Sequence, residues 1–187
     1  MQEFVLYSRT GQTEGNFKSL INAGRLDIVY QCILMALFKS GAHRRDVVFH
    51  AILGGAPKPP VHIAISGNDL RDARIDERSW EGILRNVLNG KEHEGITLDR
   101  KPLQQLILEK NESRCKIFVL NKKGDVLESH TLSENNVFVL GDHIGLPKKD
   151  EKFILRYGAR LSLGKEKYLA ASCIDIINYR LDLTVNP

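Results

Sequence analysis

Cysteine is scarce in this sequence, and the few copies are not arranged as paired ligands. The three cysteines, Cys32, Cys115 and Cys173, are far apart, and no C-x-x-C pair occurs. This spacing argues against a zinc ribbon and gives a disulfide framework no support. The six histidines are scattered as well, with none at i,i+4 spacing from another, so the sequence predicts no metal site.

Long apolar runs are also missing. The longest are far too short to span a bilayer. The N-terminal segment MQEFVLYSRT lacks the anatomy of a signal peptide. We therefore predict a cytoplasmic protein with no membrane partner.

Two common phosphate-binding fingerprints are absent. The segment GARLSLGKE resembles a P-loop, but five residues separate Gly158 from Gly164 where that motif has four, and Glu166 stands where a magnesium-binding Ser or Thr belongs. A nucleotide triphosphatase is thereby disfavoured. No G-x-G-x-x-G follows a predicted strand, which weakens a dinucleotide-binding or Rossmann methyltransferase interpretation.

What the sequence does contain suits a single α/β domain. Its 187 residues fit one domain, and a hydrophobic content of 42% is enough for a core. The net charge of +4 and the pI of about 9.0 are compatible with an RNA-facing surface without establishing one.

Four segments have the character of helices. In GRLDIVYQCILMALFKSG, which ends at Gly41, the apolar residues recur at helical spacing: Leu26, Val29, Ile33 and Leu37. The C-terminal segment KYLAASCIDIINYRLD has a similar stripe: Leu169, Cys173, Ile177 and Leu181. DERSWEGILRNVLNG predicts a third helix, and PKKDEKFILRYG a short, exposed fourth.

Short apolar runs predict the strands. Residues 2–7 alternate weakly, and RRDVVFHAILGG and PPVHIAIS follow, with a loop from Gly54 to Pro60 between them. CKIFVL, VFVL and ARLSL are buried-type strands, and NKKGD after the first is a turn. Alternating strands and helices imply a mainly parallel sheet, which binds ligands at the carboxyl ends of its strands. Candidate site positions are therefore Leu120, Gly141 and Leu163.

The segment GDHIG after the VFVL strand admits two interpretations. Asp142 and His143 invite a hydrolase mechanism, but adjacent turn residues rarely point at one another, and no G-x-S-x-G nucleophile elbow is present. The favoured interpretation is a turn in which Asp142 accepts backbone N–H bonds. Gly141 and Gly145 would let a ligand or another strand approach the backbone closely.

Three other features are ambiguous on their own. Cys173 on an apolar stripe is most often a plain core residue. Arg44–Asp46, before a strand, is either a solvated basic corner or a set in which Arg binds phosphate and Asp binds a base imide. Asp27 opens a helix, where the helix dipole favours an acid without any further role.

Taken in order, the segments GRLDIV, RRDVVF, GDHIG and LSL…SCIDII resemble the archaeal tRNA pseudouridine-N1 methyltransferases of the SPOUT superfamily. The resemblance covers nearly the whole chain, with RRDVVF and GDHIG the most specific segments. It implies a single SPOUT domain over residues 1–187: a mainly parallel α/β sheet with helices on both faces. A deep trefoil knot would cover about residues 115–187, an exception to the usual rule against threading.

The resemblance also implies a function. The cofactor would be S-adenosylmethionine, bent into the knot loops, and the substrate the pseudouridine at position 54 in the T-loop of tRNA. The protein would be a homodimer with its C-terminal helix at the interface. Two alternatives stay open: a SPOUT enzyme acting on a pseudouridine in ribosomal RNA, and a non-catalytic RNA- or nucleotide-binding module.

The resemblance assigns roles to individual residues. The positions expected to bind the cofactor are Leu120, Gly141, Leu161, Ser162, Leu163, Gly164 and Cys173. Asp46 is the first candidate to hold or take the N1 proton and Asp27 the second, since a carboxylate within hydrogen-bond reach suits that step. The residues expected to bind RNA phosphates are Arg25, Arg44 and Arg45. On this interpretation Asp142 holds a turn and His143 has no assigned chemistry.

Overall fold

The computed structural model describes residues 1–184 and contains nine strands, five α-helices and one short 3-10 helix, Leu127–Ser129, within that range. The strands are β1 Gln2–Ser8, β2 Phe38–Lys39, β3 Ala42–His43, β4 Val47–Leu53, β5 Val61–Ser66, β6 Ile96–Asp99, β7 Lys116–Val126, β8 Asn136–Gly141 and β9 Gly158–Ser162. The helices are α1 Leu26–Leu37, α2 Glu77–Leu88, α3 Leu103–Glu112, α4 Lys148–Ile154 and α5 Ala170–Thr184.

Seven of the strands form one sheet in the order β6-β5-β4-β1-β8-β7-β9. The five strands from β4 to β9 in this order are mutually parallel. β5 and β6 extend the sheet antiparallel to β4. The predicted mainly parallel α/β sheet is confirmed, with an antiparallel edge that was not predicted.

Helices cover both faces of this sheet because its strands alternate two buried sets of side chains. Phe4 and Leu6 of β1 pack in a cluster with the buried sides of α1, α2 and α5. Val5, between them, packs on the other face with α3 and α4. The predicted layering is therefore confirmed.

Helix α1 has the amphipathic pattern that its sequence predicts. Leu26, Val29, Ile33 and Leu37 are all buried. The next helix, α2, begins where Asp76 accepts a hydrogen bond from the Ser79 backbone N–H at 2.8 Å. This is the usual role of an aspartate at a helix N-cap.

Helix α5 differs from its predicted stripe. The helix begins at Ala170, so Leu169 precedes it and is 74% exposed. Ile174 and Ile177 are the buried apolar residues of the helix. Asn178 is buried too, and its side-chain N–H donates to the Met35 carbonyl of α1 at 2.7 Å. The predicted stripe was therefore wrong at Leu169.

The segment NKKGD interrupts β7 without ending it. Leu161 of β9 pairs with both Leu120 and Asp125, so residues 121–124 bulge out of the ladder. Asn121 caps this bulge by accepting the Lys123 backbone N–H at 3.0 Å. The chain therefore turns where predicted, but the strand resumes afterwards and runs to Val126.

Candidate functional site

Three neighbouring parallel strands, β1, β4 and β8, end at one side of the sheet, here named the carboxyl edge. The Gly54 N–H, just after β4, donates to the Ser8 carbonyl at 2.8 Å. The Asp142 N–H, just after β8, donates to the Tyr7 carbonyl at 3.1 Å. The chain segments that leave these strands therefore lie side by side, as expected for the ligand-binding edge of a parallel sheet.

Asp142 organises the turn after β8. Its side chain is buried, and its two oxygens accept the Arg9 backbone N–H at 2.7 Å and the Ile144 backbone N–H at 2.9 Å. The Gly145 N–H donates to the Asp142 carbonyl at 2.9 Å. His143 is exposed, and its Nδ1 lies 3.9 Å from the Asp142 carboxylate, too far for a hydrogen bond. The predicted Asx-type turn is present, and the pair is not arranged as a base and its orienting acid.

The two glycines of this turn serve different purposes. A Cβ on Gly141 would lie closer than 3.0 Å to the backbone of Gly145 and Leu146. Gly141 is therefore required by the turn's own backbone, which folds back over it. Gly145 has φ +89, and nothing lies within 4 Å of the place where its Cβ would be. Its open face is the one available to a ligand.

The turn after β9 lies on the same side of the sheet as the Asp142 turn. Leu120 of β7 pairs with Leu161 of β9, and β7 also pairs with β8. The Ser162 hydroxyl donates to the Gly164 carbonyl at 3.0 Å and closes the turn. Gly164 has φ +121 and open space around its Cβ position. The structure thus brings the strand ends at Leu120, Gly141 and Leu161 together.

Partly buried apolar side chains line this part of the carboxyl edge. Leu120, Leu163 and Cys173 all pack against the core cluster of α1, α2 and α5 while retaining some exposure. Burial raises the pKa of the Cys173 thiol. A thiol that resists ionisation is a weak nucleophile, so Cys173 contributes apolar surface here.

Arg25 and Asp27 also lie at the carboxyl edge. The Thr10 hydroxyl, after β1, donates to the Gly24 carbonyl at 2.9 Å, which holds the start of α1 against this edge. Arg25 adopts φ +69, and its guanidinium donates to both oxygens of Asp27 at 3.0 Å. The hydrogen bonds and charge of Asp27, and more weakly the charge of Asp142, raise the pKa of Arg25.

Arg44, Arg45 and Asp46 lie at the opposite side of the sheet, here named the amino edge. They immediately precede β4, and the Gln2 N–H at the start of β1 donates to the Asp46 carbonyl at 2.9 Å. Arg44 binds both carboxylate oxygens of Asp182 on α5, at 2.6 and 2.5 Å. Arg45 and Asp46 are exposed.

A cavity of about 650 Å³ opens beside these residues. Arg44, Asp46, Asp182 and the β7–β8 connection around His130 line it. Within the described residues, the buried Nε of Arg44 and Nε2 of His130 have no hydrogen-bond partner. Unpaired buried polar atoms are costly, so Arg44 and His130 bring to the wall of this cavity hydrogen-bonding capacity that the described part of the fold does not use.

The two groups of candidate residues are therefore separated within one chain. Asp46 precedes β4 and Gly54 follows it. A seven-residue strand such as β4 is about 20 Å long. Asp27, Arg25 and the expected cofactor residues share the carboxyl edge, whereas Arg44, Arg45 and Asp46 share the amino edge.

Two residues of the amino-edge cavity were not predicted from the sequence. His130 lies in an irregular connection, and Arg180 lies on α5, where it pairs with Glu128 of that connection. Neither belongs to a motif, and only the packing of α5 against the connection brings them to Arg44. No sequence signal could have identified them.

Residues 1–184 contain no cluster of three or more His, Cys, Asp or Glu side chains that could hold a metal ion. None of the helices within that range is long and apolar enough to cross a membrane.

Sequence comparison relates almost the whole chain to RNA-modifying enzymes. Residues 1–185 match a family model described as "Putative SAM-dependent RNA methyltransferase". The chain is 36% identical to the tRNA (pseudouridine(54)-N(1))-methyltransferase of Methanococcus aeolicus, over 97% of this chain and 98% of that protein. It is also 36% identical to the protein of the same name from Methanocaldococcus jannaschii, over 97% of each chain.

Structural comparison shows the same fold in a more distant protein. The crystal structure of Archaeoglobus fulgidus Nep1 bound to S-adenosylhomocysteine superposes with a TM-score of 0.73. The match covers 97% of both chains at 13% identity. Such low identity supports the fold alone.

Proposed function

The chain belongs to the family of SAM-dependent RNA methyltransferases, and from that membership we propose that it methylates N1 of pseudouridine 54 in the T-loop of tRNA. The observation that carries the proposal is its full-length similarity, at 36% identity, to archaeal enzymes named for this reaction. S-adenosylmethionine, when bound, supplies an electrophilic methyl group on a sulfonium. A tRNA substrate agrees with a cytoplasmic location, which is part of the proposal.

The carboxyl edge fits this cofactor. Leu120, Leu163 and Cys173 offer partly exposed apolar surface to the adenine ring. Nothing lies within 4 Å of the Cβ position of Gly164, so the backbone there is accessible to the cofactor. Gly141, Leu161 and Ser162 shape the two turns that would hold the ribose and methionine portions. The buried carboxylate of Asp142 keeps the first turn in place.

The proposed fold includes a C-terminal trefoil knot over about residues 115–187. Its support is the position of α5. Asn178 bonds α5 to Met35 of α1 on one side, and Arg180 pairs with Glu128 of the β7–β8 connection on the other. A helix enclosed between these two segments has the arrangement expected of a chain end drawn through a loop.

Asp46 is the favoured group to hold the N1 proton. Its carboxylate is exposed at the amino-edge cavity and makes no hydrogen bond within the described part of the chain. Asp27, the second candidate, has both oxygens occupied by the Arg25 guanidinium. Its oxygens are therefore already occupied as acceptors, which leaves Asp27 less able than Asp46 to accept the N1 proton.

Arg44 and Arg45 would bind phosphates around the everted nucleotide. The unpaired Nε of Arg44 lies beside the same cavity as Asp46, and guanidinium groups suit phosphate oxygens. A T-loop base must leave its stack to be reached. Arg25, at the carboxyl edge, would bind RNA on the cofactor side.

Methyl transfer with these residues requires two chains, because Asp46 and the Gly141 turn lie at opposite edges of the sheet. We therefore extend the proposal to a homodimer in which Asp46 of one subunit serves the cofactor loops of the other. Exposed apolar side chains on and before α5 provide a suitable contact surface: Tyr168, Leu169, Tyr179 and Leu183. Exposed apolar patches of this kind mark interaction sites.

The direct test is mass spectrometry of a T-loop minihelix, with and without pseudouridine, after incubation with the protein and labelled S-adenosylmethionine. We expect one added methyl group, on the pseudouridylated RNA only. Methylation of a ribosomal RNA hairpin in preference to the minihelix would contradict the tRNA assignment. A calorimetric titration that detects no cofactor binding would instead indicate a non-catalytic RNA-binding module.

A further inference from the structure

A row of four titratable side chains crosses the sheet on the face covered by α3 and α4. Glu3 of β1, His50 of β4, His62 of β5 and Asp99 of β6 lie on four consecutive strands. His50 Nε2 lies 2.7 Å from Glu3 Oε2, His50 Nδ1 lies 2.9 Å from His62 Nε2, and His62 Nδ1 lies 3.0 Å from Asp99 Oδ1. All three contacts have hydrogen-bond length.

The two ends of this row of side chains differ in exposure. The side chains of Glu3 and of both histidines are at most 5% exposed, whereas that of Asp99 is 47% exposed. Water can therefore replace a lost partner at Asp99 but not at Glu3. Although Lys110 also pairs with Glu3, an unprotonated Nε2 of His50 would face the buried Glu3 carboxylate at 2.7 Å without solvent to screen the repulsion, which would be expensive.

Both carboxyl groups are held in the ionised form. Burial raises the pKa of Glu3, but hydrogen bonds from His50 and Lys110 outweigh it, so the pKa lies below its usual value. The Lys110 ammonium is 2.6 Å from Glu3. For Asp99, burial is likewise outweighed, first by the hydrogen bond from the Lys101 backbone N–H, and the pKa is again lowered. Two ionised carboxylates can only accept hydrogen bonds.

Counting protons shows that three contacts cannot all be hydrogen bonds while both histidines are neutral. Each contact needs one proton, and each neutral imidazole carries only one. Since Glu3 is buried, His50 must donate from Nε2 to it. His62 must then donate from Nε2 to Nδ1 of His50. This leaves an unprotonated Nδ1 of His62 facing the Asp99 carboxylate, which is the exposed contact.

We propose that these four side chains form a proton-dependent latch. At neutral pH one proton lies between Glu3 and His50 and a second lies between His50 and His62. The contact between His62 and Asp99 then contains no proton and is not a hydrogen bond, which is the open state of the latch. Uptake of a third proton from solvent, at Nδ1 of His62, closes that contact and ties β5 to the corner between β6 and α3.

The surroundings of the latch agree with an open state at neutral pH. Burial lowers the pKa of both histidines, that of His62 to about 4, and the charges of Lys110 and Lys101 act in the same direction on His50. Lys101 also binds Glu109 of α3 at 2.7 Å. Cys115, packed on the same face, has its pKa raised by burial, so it adds no charge near neutrality.

The sign of the pH dependence follows from this. The pKa of His62 in the folded protein lies below the value of about 6.5 of an unfolded histidine. Its contribution to stability is therefore complete above that value and decreases as the pH falls toward 4.

Asp99→Asn tests the latch, because an asparagine amide can donate to Nδ1 of His62 without any added proton. The exposed Lys101 N–H, which donates to the same Asp99 oxygen at 2.9 Å, then turns to water. We expect the thermal midpoint at pH 7.5 to rise by about 2 °C or more, and the gain to shrink as the pH falls toward 4. Asp125→Asn removes an exposed carboxylate outside the latch and is the matched control. We expect it to show no gain in thermal midpoint that shrinks as the pH falls.

Nuclear magnetic resonance of the ¹⁵N-labelled imidazoles reads the proton positions directly in the wild-type chain. At pH 7.5 we expect both His50 and His62 as Nε2–H tautomers, with Nδ1 unprotonated. A doubly protonated ring at that pH, or a proton on Nδ1 of His62, would overturn the proposal. So would an Asp99→Asn variant that is less stable than the wild type at pH 7.5.

Discussion

At the scale of single residues, Asp142 and His143 are adjacent and both of types common in active sites, but they have different roles. Asp142 is buried and accepts two backbone N–H bonds, whereas His143 points into solvent. Backbone geometry explains the difference, since successive residues on a turn project in different directions. The acid therefore determines the shape of the turn, and the histidine takes no part in it.

Substituting each member of this pair gives a contrast that is easy to measure. Asp142→Asn places an amide N–H against one of the two backbone donors, so we expect the free energy of unfolding to fall by about 1–3 kcal/mol. His143→Ala changes an exposed side chain and should alter that free energy by less than about 0.5 kcal/mol. Urea denaturation measures both. A loss of methylation in His143→Ala with unchanged stability would restore a chemical role for the histidine.

The sequence identified candidate residues at both edges of the sheet, but it showed only in part which of them lie together. The segments RRDVVF and GDHIG identify Asp46 and Asp142 as candidates from sequence alone. Their separation also has a sequence signal: Asp46 precedes its strand and Asp142 follows one, and in a parallel sheet these positions lie at opposite edges. The occupation of Asp27 by Arg25 has no such signal, because it depends on the left-handed backbone of Arg25.

At the scale of elements, the apolar periodicity of α1 and the Val- and Ile-rich runs predicted the central part of the fold. β6 and α3 were missed. β6 has four residues of which only Ile96 is buried, so it lacks an alternating pattern. The antiparallel direction of β5 was not predicted, although the loop from Gly54 to Pro60 is too short for the crossover of a dozen or more residues that a parallel neighbour needs.

The turn after β8 is the element whose integrity the proposed cofactor site needs most. In Gly141→Ala the new methyl group would collide with the backbone of Gly145 and Leu146, so the turn must open. We expect the affinity for S-adenosylmethionine, measured by calorimetry, to fall at least tenfold. Unchanged affinity would remove this turn from the proposed site.

Gly82→Ala is the matched control for that substitution. Gly82 lies inside α2, and nothing lies within 4 Å of its Cβ position. The same chemical change should stabilise the protein there by about 0.5–1 kcal/mol, since alanine favours a helix over glycine. Cofactor affinity should be unaffected, which separates a local effect on the turn from a general effect of adding a methyl group.

At the scale of the whole molecule, the sheet separates two chemical environments. The carboxyl edge has apolar surface and glycine turns, and the amino edge has a cavity lined by Arg44, Asp46 and His130. Neither environment contains all the groups that the proposed reaction needs. The exposed apolar side chains around α5 offer the means to bring the two together from different subunits.

Mixing Asp46→Asn with Gly141→Ala, at a cofactor concentration too low to saturate Gly141→Ala, tests this shared site, because we expect each variant alone to methylate RNA at less than a tenth of the wild-type rate. In Asp46→Asn the cofactor loops are intact, and in Gly141→Ala the acid is intact. If Asp46 serves the partner subunit's cofactor loops, each mixed dimer regains one complete site. Random exchange in an equal mixture makes half of the dimers mixed, so methylation should return to about a quarter of the wild-type rate, taking rate as proportional to the number of complete sites.

The opposite arrangement gives a different result. If each chain used its own Asp46 with its own cofactor loops, both sites of a mixed dimer would carry a defect, and mixing would restore no activity. Cofactor binding by Asp46→Asn, checked by calorimetry, confirms that its defect lies in the chemical step. Size-exclusion chromatography of differently tagged chains shows that exchange has taken place. Together these measurements separate a shared site from a failure of the two variants to mix.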